Sequence, residues 1–240
     1  MKYEEIVQQI KDSPILLIGI GNELQIKKEV AGAESDSIEY AENISQLWET
    51  EDGQKALKPY TDAYDTIKKL IEGKDYFIVT TNTDGMLERM GFVQEKTVSP
   101  CGSVYRMQCE TAEHGVWSID DGEGKKTLRC PVCGRKGILN IVKNKPYDES
   151  GYLKQWENYT RWLQRTINRK IFILELGEGF ETPTVIRWPF EKIAYINQKA
   201  CFARVNAKLP QISEEAKERA FSVKEDSILF LGKIAELLNM

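Results

Sequence analysis

Tyr76-Phe77-Ile78-Val79 followed by Thr80-Thr81-Asn82-Thr83-Asp84-Gly85-Met86-Leu87-Glu88-Arg89-Met90-Gly91 is the stretch on which the rest of the chain is read. Four apolar residues form a buried-type strand, and the polar run after them opens a short helix. Polar groups at the carboxyl end of such a strand face the crevice where open α/β sheets bind ligands. Asn82 can donate and accept hydrogen bonds, whereas the Asp84 carboxylate only accepts them. Both side chains can reach one pocket. They can equally cap the helix that follows.

On the N-terminal side, Ile6 and Ile10 stand one turn apart and predict an amphipathic helix over residues 2–11, ended by Ser13-Pro14. Ile15-Leu16-Leu17-Ile18 then runs into Gly19-Ile20-Gly21-Asn22-Glu23. A strand entering a glycine turn suits a dinucleotide-binding sheet, because glycine lets backbone amides approach a pyrophosphate. The third glycine of that fingerprint is missing, and a plain turn gives the same pattern. Residues 35–48 predict a helix with Ile38, Ala41 and Ile44/Ser45 on one side. Ala56, Tyr60, Tyr64, Ile67 and Ile71 predict another that packs on the sheet.

On the C-terminal side, Lys96-Thr97-Val98 reads as a short strand. Residues 150–168 are helical in period, and Ile171–Leu176 is a buried strand ending at Gly177-Glu178-Gly179. Thr182-Pro183 reads as a helix start, with a bend at Pro189. Ala200–Asn206 predicts a strand holding Cys201 as a buried thiol, and two helices follow Ser213. Short buried strands alternating with helices predict an α/β fold. It is a Rossmann-like, doubly wound, mostly parallel sheet with helices on both faces.

Residues 100–145 differ in character and read as a small inserted module. They hold four of the five cysteines and the single histidine. Cys130-Pro131-Val132-Cys133-Gly134 has the form of a zinc knuckle. Cys109 and His114 complete a four-ligand set, with Cys101 as an alternative ligand; a degenerate module without metal is the other reading. Asp120–Lys126 predicts a polar hairpin-like turn.

The composition fits these elements. The 240 residues are 41% apolar and 29% charged, which suffices for one good core with a small appendage. A net charge of −4 gives no general attraction to nucleic acid or an anionic membrane. No apolar run reaches the ~18–20 residues of a membrane span. The acidic start reads as a helix rather than a secretion signal, and an odd number of cysteines suits a reducing cytoplasmic setting.

Taken together, the motifs resemble the sirtuin family over most of the chain. Thr80–Gly91, with Gly85, Arg89 and Gly91, is similar to the family's Thr-Gln-Asn-Ile-Asp-Gly stretch. Gly19-Ile20-Gly21 is loosely similar to its Gly-Ala-Gly loop. Leu176-Gly177 and Val205-Asn206 fall at its late glycine turn and cofactor-closing Asn. Leu174–Ile186 looks most like the divergent branch linked to macrodomain proteins, whose members resemble ADP-ribosyltransferases more than deacylases. The resemblance implies a Rossmann-like NAD-binding domain over residues 1–99 and 146–240 and a zinc-ribbon-like domain over 100–145. NAD would lie between them. Asn82 would orient the ribose or an attacking water, and Asp84 would hold the carboxamide. Thr81 would sit with the cofactor-binding residues. Gly19, Gly21, Gly177 and Asn206 would line the phosphates and the adenosine ribose. Cys109, His114, Cys130 and Cys133 would hold structural zinc.

Three departures bear on activity. Cys101-Gly102 stands where the family has its catalytic His-Gly. Glu23 replaces a small Ser after the glycine loop. Asn140-Ile141-Val142 replaces the branch's Asn-Leu-Arg. A free thiol titrates near ~8.5 and is not a usual proton shuttle. Losing a general base costs on the order of 10²–10⁴ in rate, so deacylation suffers most from the change at Cys101. NAD cleavage with transfer of ADP-ribose to a protein acceptor or water suffers less. The alternatives are a non-catalytic NAD or ADP-ribose binder, a weak deacylase and a scaffold without cofactor. A macrodomain protein is an expected partner; nucleic acid and membrane are not.

Overall fold

The computed structural model describes residues 2–120 and 127–238, so most of the turn expected at 120–126 lies outside the described residues. Among the described residues nine strands form two sheets. Strands β1 (Ile15–Ile20), β2 (Asp75–Thr80), β3 (Thr97–Val98), β7 (Ile171–Leu176), β8 (Ala200–Val205) and β9 (Ala220–Val223) make the larger one. Its order is β3-β2-β1-β7-β8-β9, with every pairing parallel. The second is antiparallel, with β4 (Gly102–Cys109) between β5 (Val116–Ser118) and β6 (Gly137–Ile141). The helices are α1 (Lys2–Lys11), α2 (Lys28–Ala31), α3 (Ile38–Glu49), α4 (Glu51–Ile71), α5 (Met86–Arg89), α6 (Leu153–Arg165), α7 (Arg187–Ile196) and α8 (Ser227–Leu238).

Period-two side-chain alternation divides the core between the two faces of the parallel sheet. Leu16, Ile18, Ile78, Leu174 and Val205 point to one face, against α1, α3, α4 and α8. Ile15, Leu17, Phe77, Val79, Ile173 and Phe202 point to the other, against α6 and α7. Strands buried on both faces read as continuous apolar runs, which is why β1, β2, β7 and β8 were legible. On α4 the buried face carries Leu57, Tyr60, Tyr64 and Ile67, and Ala56 turns to solvent.

The C-terminal third departs from expectation in three places. α7 begins at Arg187, not at Thr182-Pro183; residues 182–186 form turns, with Val185 N–H on the Thr182 carbonyl. Pro189 therefore lies in the first turn of α7, where its missing N–H would be unpaired anyway and no bend is needed. After Ser213 the first expected helix is a single 3₁₀ turn, Lys217–Arg219, leading into β9. Cys201 is only partly buried.

The connection back from the small sheet is stitched by side-chain amides. Asn140 Nδ2 donates to Gln108 Oε1 (2.6 Å) and to the Asp148 carbonyl (2.9 Å), and Gln108 Nε2 donates to the Pro146 carbonyl (2.6 Å). Tyr147 Oη donates to the carbonyl of Pro100, on the outgoing connection (2.8 Å). No helix among the described residues is long and apolar enough to cross a membrane.

Candidate functional site

The parallel sheet reverses its winding between β1 and β7, and ligand crevices in such sheets open outside the carboxyl ends of strands at that point. Ile20-Gly21, Thr80-Thr81, Leu176-Gly177 and Val205-Asn206 all end there. The turn after β2 is fixed to β1: Thr80 Oγ1 donates to the Ile20 carbonyl (2.9 Å) and accepts from Asn82 N–H (3.0 Å). Gly85 has φ 72°, and a Cβ on it would strike the Tyr105 ring at 2.3 Å, so glycine is required twice over.

Asn82 and Asp84 part company here. Asn82 lines a cleft of about 110 Å³ together with Thr81, Cys101, Lys143, Glu178 and Thr182. Its Nδ2 is buried and makes no close hydrogen bond among the described residues, and the Tyr64 hydroxyl is the side-chain group that interacts with it. Asp84 is buried behind the cleft with both oxygens in use. Oδ1 accepts from Met86 N–H (3.1 Å) at the start of α5, and Oδ2 accepts from Ile26 N–H (2.9 Å). Asp84 thus caps its own helix and pins the segment that roofs the cleft. Gln25 adds to that hold, accepting from Thr83 N–H (2.9 Å) and donating to Tyr40 Oη (2.9 Å).

Cys101 sits on the opposite wall. Its thiol is 3.9 Å from Thr182 Oγ1, and burial pushes it up to about 11. It is neither a thiolate nor a useful base near neutral pH. Glu178, which the sequence reading named only as part of a strand end, is the buried carboxyl group lining the cleft; Glu181, also in the lining, is exposed. Glu178 is 2% exposed, and its Oε2 accepts from Thr81 Oγ1 at 2.7 Å. The signal available was a lone acidic residue between two glycines at the end of a buried strand.

Burial pushes Glu178 up to about 8 and Asp84 up to about 7. An unfolded carboxyl titrates near ~4, so the folded chain binds more protons between roughly pH 4 and pH 8. The contribution is complete below that window and is lost as pH rises through it. Thermal midpoints are expected to fall from pH 6 to pH 9, and to fall less in Glu178→Gln, whose amide oxygen can still accept from Thr81. Equal slopes in the two proteins would show that Glu178 does not titrate there.

The four residues expected to line phosphates and ribose are present but covered. Gly19 lies within β1, where a Cβ would meet Ile186 at 2.5 Å and Phe190 at 2.7 Å, so it admits the packing of α7. A Cβ on Gly21 would meet the Glu178 backbone at 2.4 Å, and one on Gly177 would meet Glu23 Cβ at 2.4 Å. Asn206 spends its amide on the Glu178 carbonyl (3.0 Å) and on Lys208 and Leu209 N–H (2.9 and 2.7 Å). Behind it lies a buried ion network. Arg204 donates to Glu175 through Nε (2.7 Å) and Nη2 (2.9 Å) and to Glu191 through Nη1 (2.9 Å). Arg187 stands 3.5 Å from Glu175 and donates to the Glu178 carbonyl (3.2 Å), so the network anchors the Glu178 loop.

A second constellation lies at the far end of the small sheet. The ligand atoms of Cys109, His114, Cys130 and Cys133 all lie within 4.8 Å of one another. Cys109 and Cys133 sulfurs are 3.7 Å apart, and Cys130 Sγ is 3.5 Å from His114 Nδ1. A tetrahedral zinc with Zn–S of ~2.3 Å and Zn–N of ~2.05 Å puts ligand atoms about 3.8 and about 3.5 Å apart, so this donor set fits that ion. The Thr111 hydroxyl beside Cys109 pulls its thiol down to about 6, toward the ligating form. Cys101 is not part of the cluster. Purified protein is expected to carry about one zinc per chain, and Cys133→Ser to lose most of it with a lower thermal midpoint. Full-length protein free of metal at unchanged stability would count against the site.

No protein-family model matches the chain. It is 25% identical over 185 residues to a protein ADP-ribosyltransferase of Staphylococcus aureus, a match covering 70% of this chain and 59% of that protein. It is 28% identical over 141 residues to a probable bifunctional ADP-ribose hydrolase/ADP-ribosyltransferase of Fusarium oxysporum, covering 50% of this chain and 24% of that protein. The chain therefore spans about six-tenths of the first relative's length and a quarter of the second's. Among solved structures it is similar to Sir2Tm bound to a propionylated peptide, with a TM-score of 0.61, 16% identity and 99% and 98% of the two chains covered. It is also similar to a Sir2 homologue in complex with NAD, with a TM-score of 0.60, 14% identity and 98% and 93% covered. The architecture is thus the Sir2 form of the Rossmann fold, and the sequence is similar to those of two proteins named for ADP-ribosyltransferase activity.

Proposed function

We propose that this divergent sirtuin-like chain is an NAD-consuming enzyme that cleaves the nicotinamide–ribose bond and passes ADP-ribose to a protein side chain or to water. The observation that carries the reading is Asn82: a buried amide donor without a close hydrogen bond, facing a cleft at the sheet's switch point. A buried donor left unpaired is costly, and such groups mark places where a ligand completes the hydrogen bonding. Both sequence relatives carry ADP-ribosyltransferase in their names, the second as a probable activity, which supports this reading over deacylation.

NAD would supply an activated ribosyl bond to a good leaving group; the residues of this chain supply position and charge. Asn82 and Thr81 would meet the nicotinamide-bearing ribose. Asp84 acts one step back, fixing the roof through Ile26 N–H. Cys101 supplies a wall and no proton transfer. Glu178 would hold a proton in the cleft. Cys109, His114, Cys130 and Cys133 would hold a structural zinc that cross-links the small sheet's loops. The acceptor would be a protein, and a macrodomain protein that removes ADP-ribose would be a fitting partner. The bifunctional name of the second relative joins those two activities in one protein.

The test is to incubate the pure protein with NAD and follow free nicotinamide by chromatography, with and without candidate acceptor proteins. Release is expected. Its absence at saturating NAD under both conditions would overturn the enzymatic reading. A second reading, in which the chain binds without cleaving, is favoured by one observation: carboxyl side chains cover the glycines at both Gly21 and Gly177. The open cleft of about 110 Å³ is also smaller than the ~300–1,000 Å³ of pockets that enclose drug-sized ligands.

A further inference from the structure

In a sheet of this strand order the pyrophosphate of a dinucleotide lies on the first turn after β1, against glycine backbone and a helix N-terminus. That turn here is Gly21-Asn22-Glu23, which faces Gly177 across the switch point and lies beside the start of α8. Glu23 fills the place. Its Oε1 accepts from Ala207 N–H (2.8 Å), and its Oε2 accepts from Ser227 N–H (3.0 Å) and Ser227 Oγ (2.7 Å). Two backbone amides and a hydroxyl are the donors a phosphate oxygen takes. The stem of the side chain is seated too. A Cβ on Gly177 would lie 2.4 Å from Glu23 Cβ and 2.9 Å from its Cγ, so the glycine's bare backbone accommodates this side chain. The Glu23 backbone N–H also points to the Gly177 carbonyl (3.4 Å).

We infer that Glu23 is the crevice's resident anion: its carboxylate stands where a ligand's diphosphate would lie, and it decides whether the ADP half of a ligand is admitted. The inference rests on the reading that the crevice takes an ADP-ribosyl ligand. Glu23 weakens the hold on such a ligand in two ways. It takes the donors, and it sets a negative charge against another. Glu178 covers the neighbouring glycine, but burial favours its neutral form, and a carboxylic acid can donate to a phosphate. Glu23 is therefore the side chain that sets the specificity.

The experiment titrates ADP-ribose by calorimetry into the wild-type protein, Glu23→Gln and Glu23→Ser at one pH and ionic strength. Glu23→Ser is expected to bind at least about tenfold more tightly than wild type, a difference of ~1.4 kcal/mol. Glu23→Gln keeps the shape and an acceptor oxygen but drops the charge, so it guards against loss of fold and is expected to fall between the two. Equal affinities in all three proteins, or no binding by any of them, would overturn the inference. The readout is independent of turnover. Tighter binding without nicotinamide release leaves Glu23 in this role and removes the enzymatic reading. Nicotinamide release with no change in affinity does the reverse.

Discussion

Asn82→Ala is expected to reduce nicotinamide release by about 10²–10³-fold, the scale at which a single preorganised polar group acts on a reacting centre. The same substitution should leave stability unchanged or slightly raised. That pairing of effects is unusual for a residue this deeply buried. It follows from Nδ2 making no close hydrogen bond among the described residues: the folded protein already bears the cost of an unsatisfied donor, and removing the donor removes the cost. Asn82 N–H keeps its bond to Thr80 Oγ1 whatever the side chain, so the turn survives. The checks are a thermal melt beside the turnover assay. Activity within threefold of wild type would show that the amide is structural. A large fall in the midpoint would show that it has a hidden partner.

Arg204→Met is expected to be the most destabilising single change in the parallel sheet. Arg204 is almost fully buried between β7 and α7 and makes two hydrogen bonds to Glu175, one to Glu191, and others to the Gln211 and Arg187 carbonyls. Removing it strands the Glu175 carboxylate in the core with only Arg187 nearby. Breaking a buried pair from one side costs about 3–5 kcal/mol. For a chain of this size that corresponds to a fall of about 10 °C in the thermal midpoint. Adding Glu175→Gln should recover part of the loss, because the stranded charge goes with it. A double variant no more stable than Arg204→Met would show that packing, not charge, is what Arg204 supplies. Because Arg187 holds the Glu178 carbonyl, the single variant should also loosen the cleft wall.

The parallel sheet was readable because its four central strands are buried on both faces and are dominated by apolar residues, with Glu175 in β7 and Arg204 in β8 as the buried charged exceptions. Ala220-Phe221-Ser222-Val223 was not, because a four-residue edge strand in which Val223 alone is buried, set between charged turns, has no such signature. Thr182-Pro183 has the chemistry of a helix start, yet the tertiary packing of Ile186 and Phe190 over Gly19 sets where α7 begins. The Cys/His cluster was legible because Cys130 and Cys133 are close in sequence and the chain holds only one histidine to join Cys109. Asn82 and Asp84 stand two residues apart and read as a pair, but their division of labour was not visible in the sequence. Which oxygen meets which N–H depends on the path of residues 22–35, where polar sequence leaves the conformation undetermined. Glu23 stood out as a misfit from its charge alone; that it would find donors in Ala207 and Ser227, about 200 positions away, is a property of the folded chain.

The amide stitching between the two sheets constrains how the molecule can breathe. Outgoing and returning connections are tied to each other through Tyr147 and Pro100, and the return is clamped to β4 and β6 by Gln108 and Asn140. The two crossings thus behave as one stiff strap, which opposes a clamshell motion of one sheet away from the other. Room for a larger guest has to come from the roof, where residues 22–35 hang on a few side-chain tethers. Amide hydrogen exchange should run fast along that roof and slow along the strap.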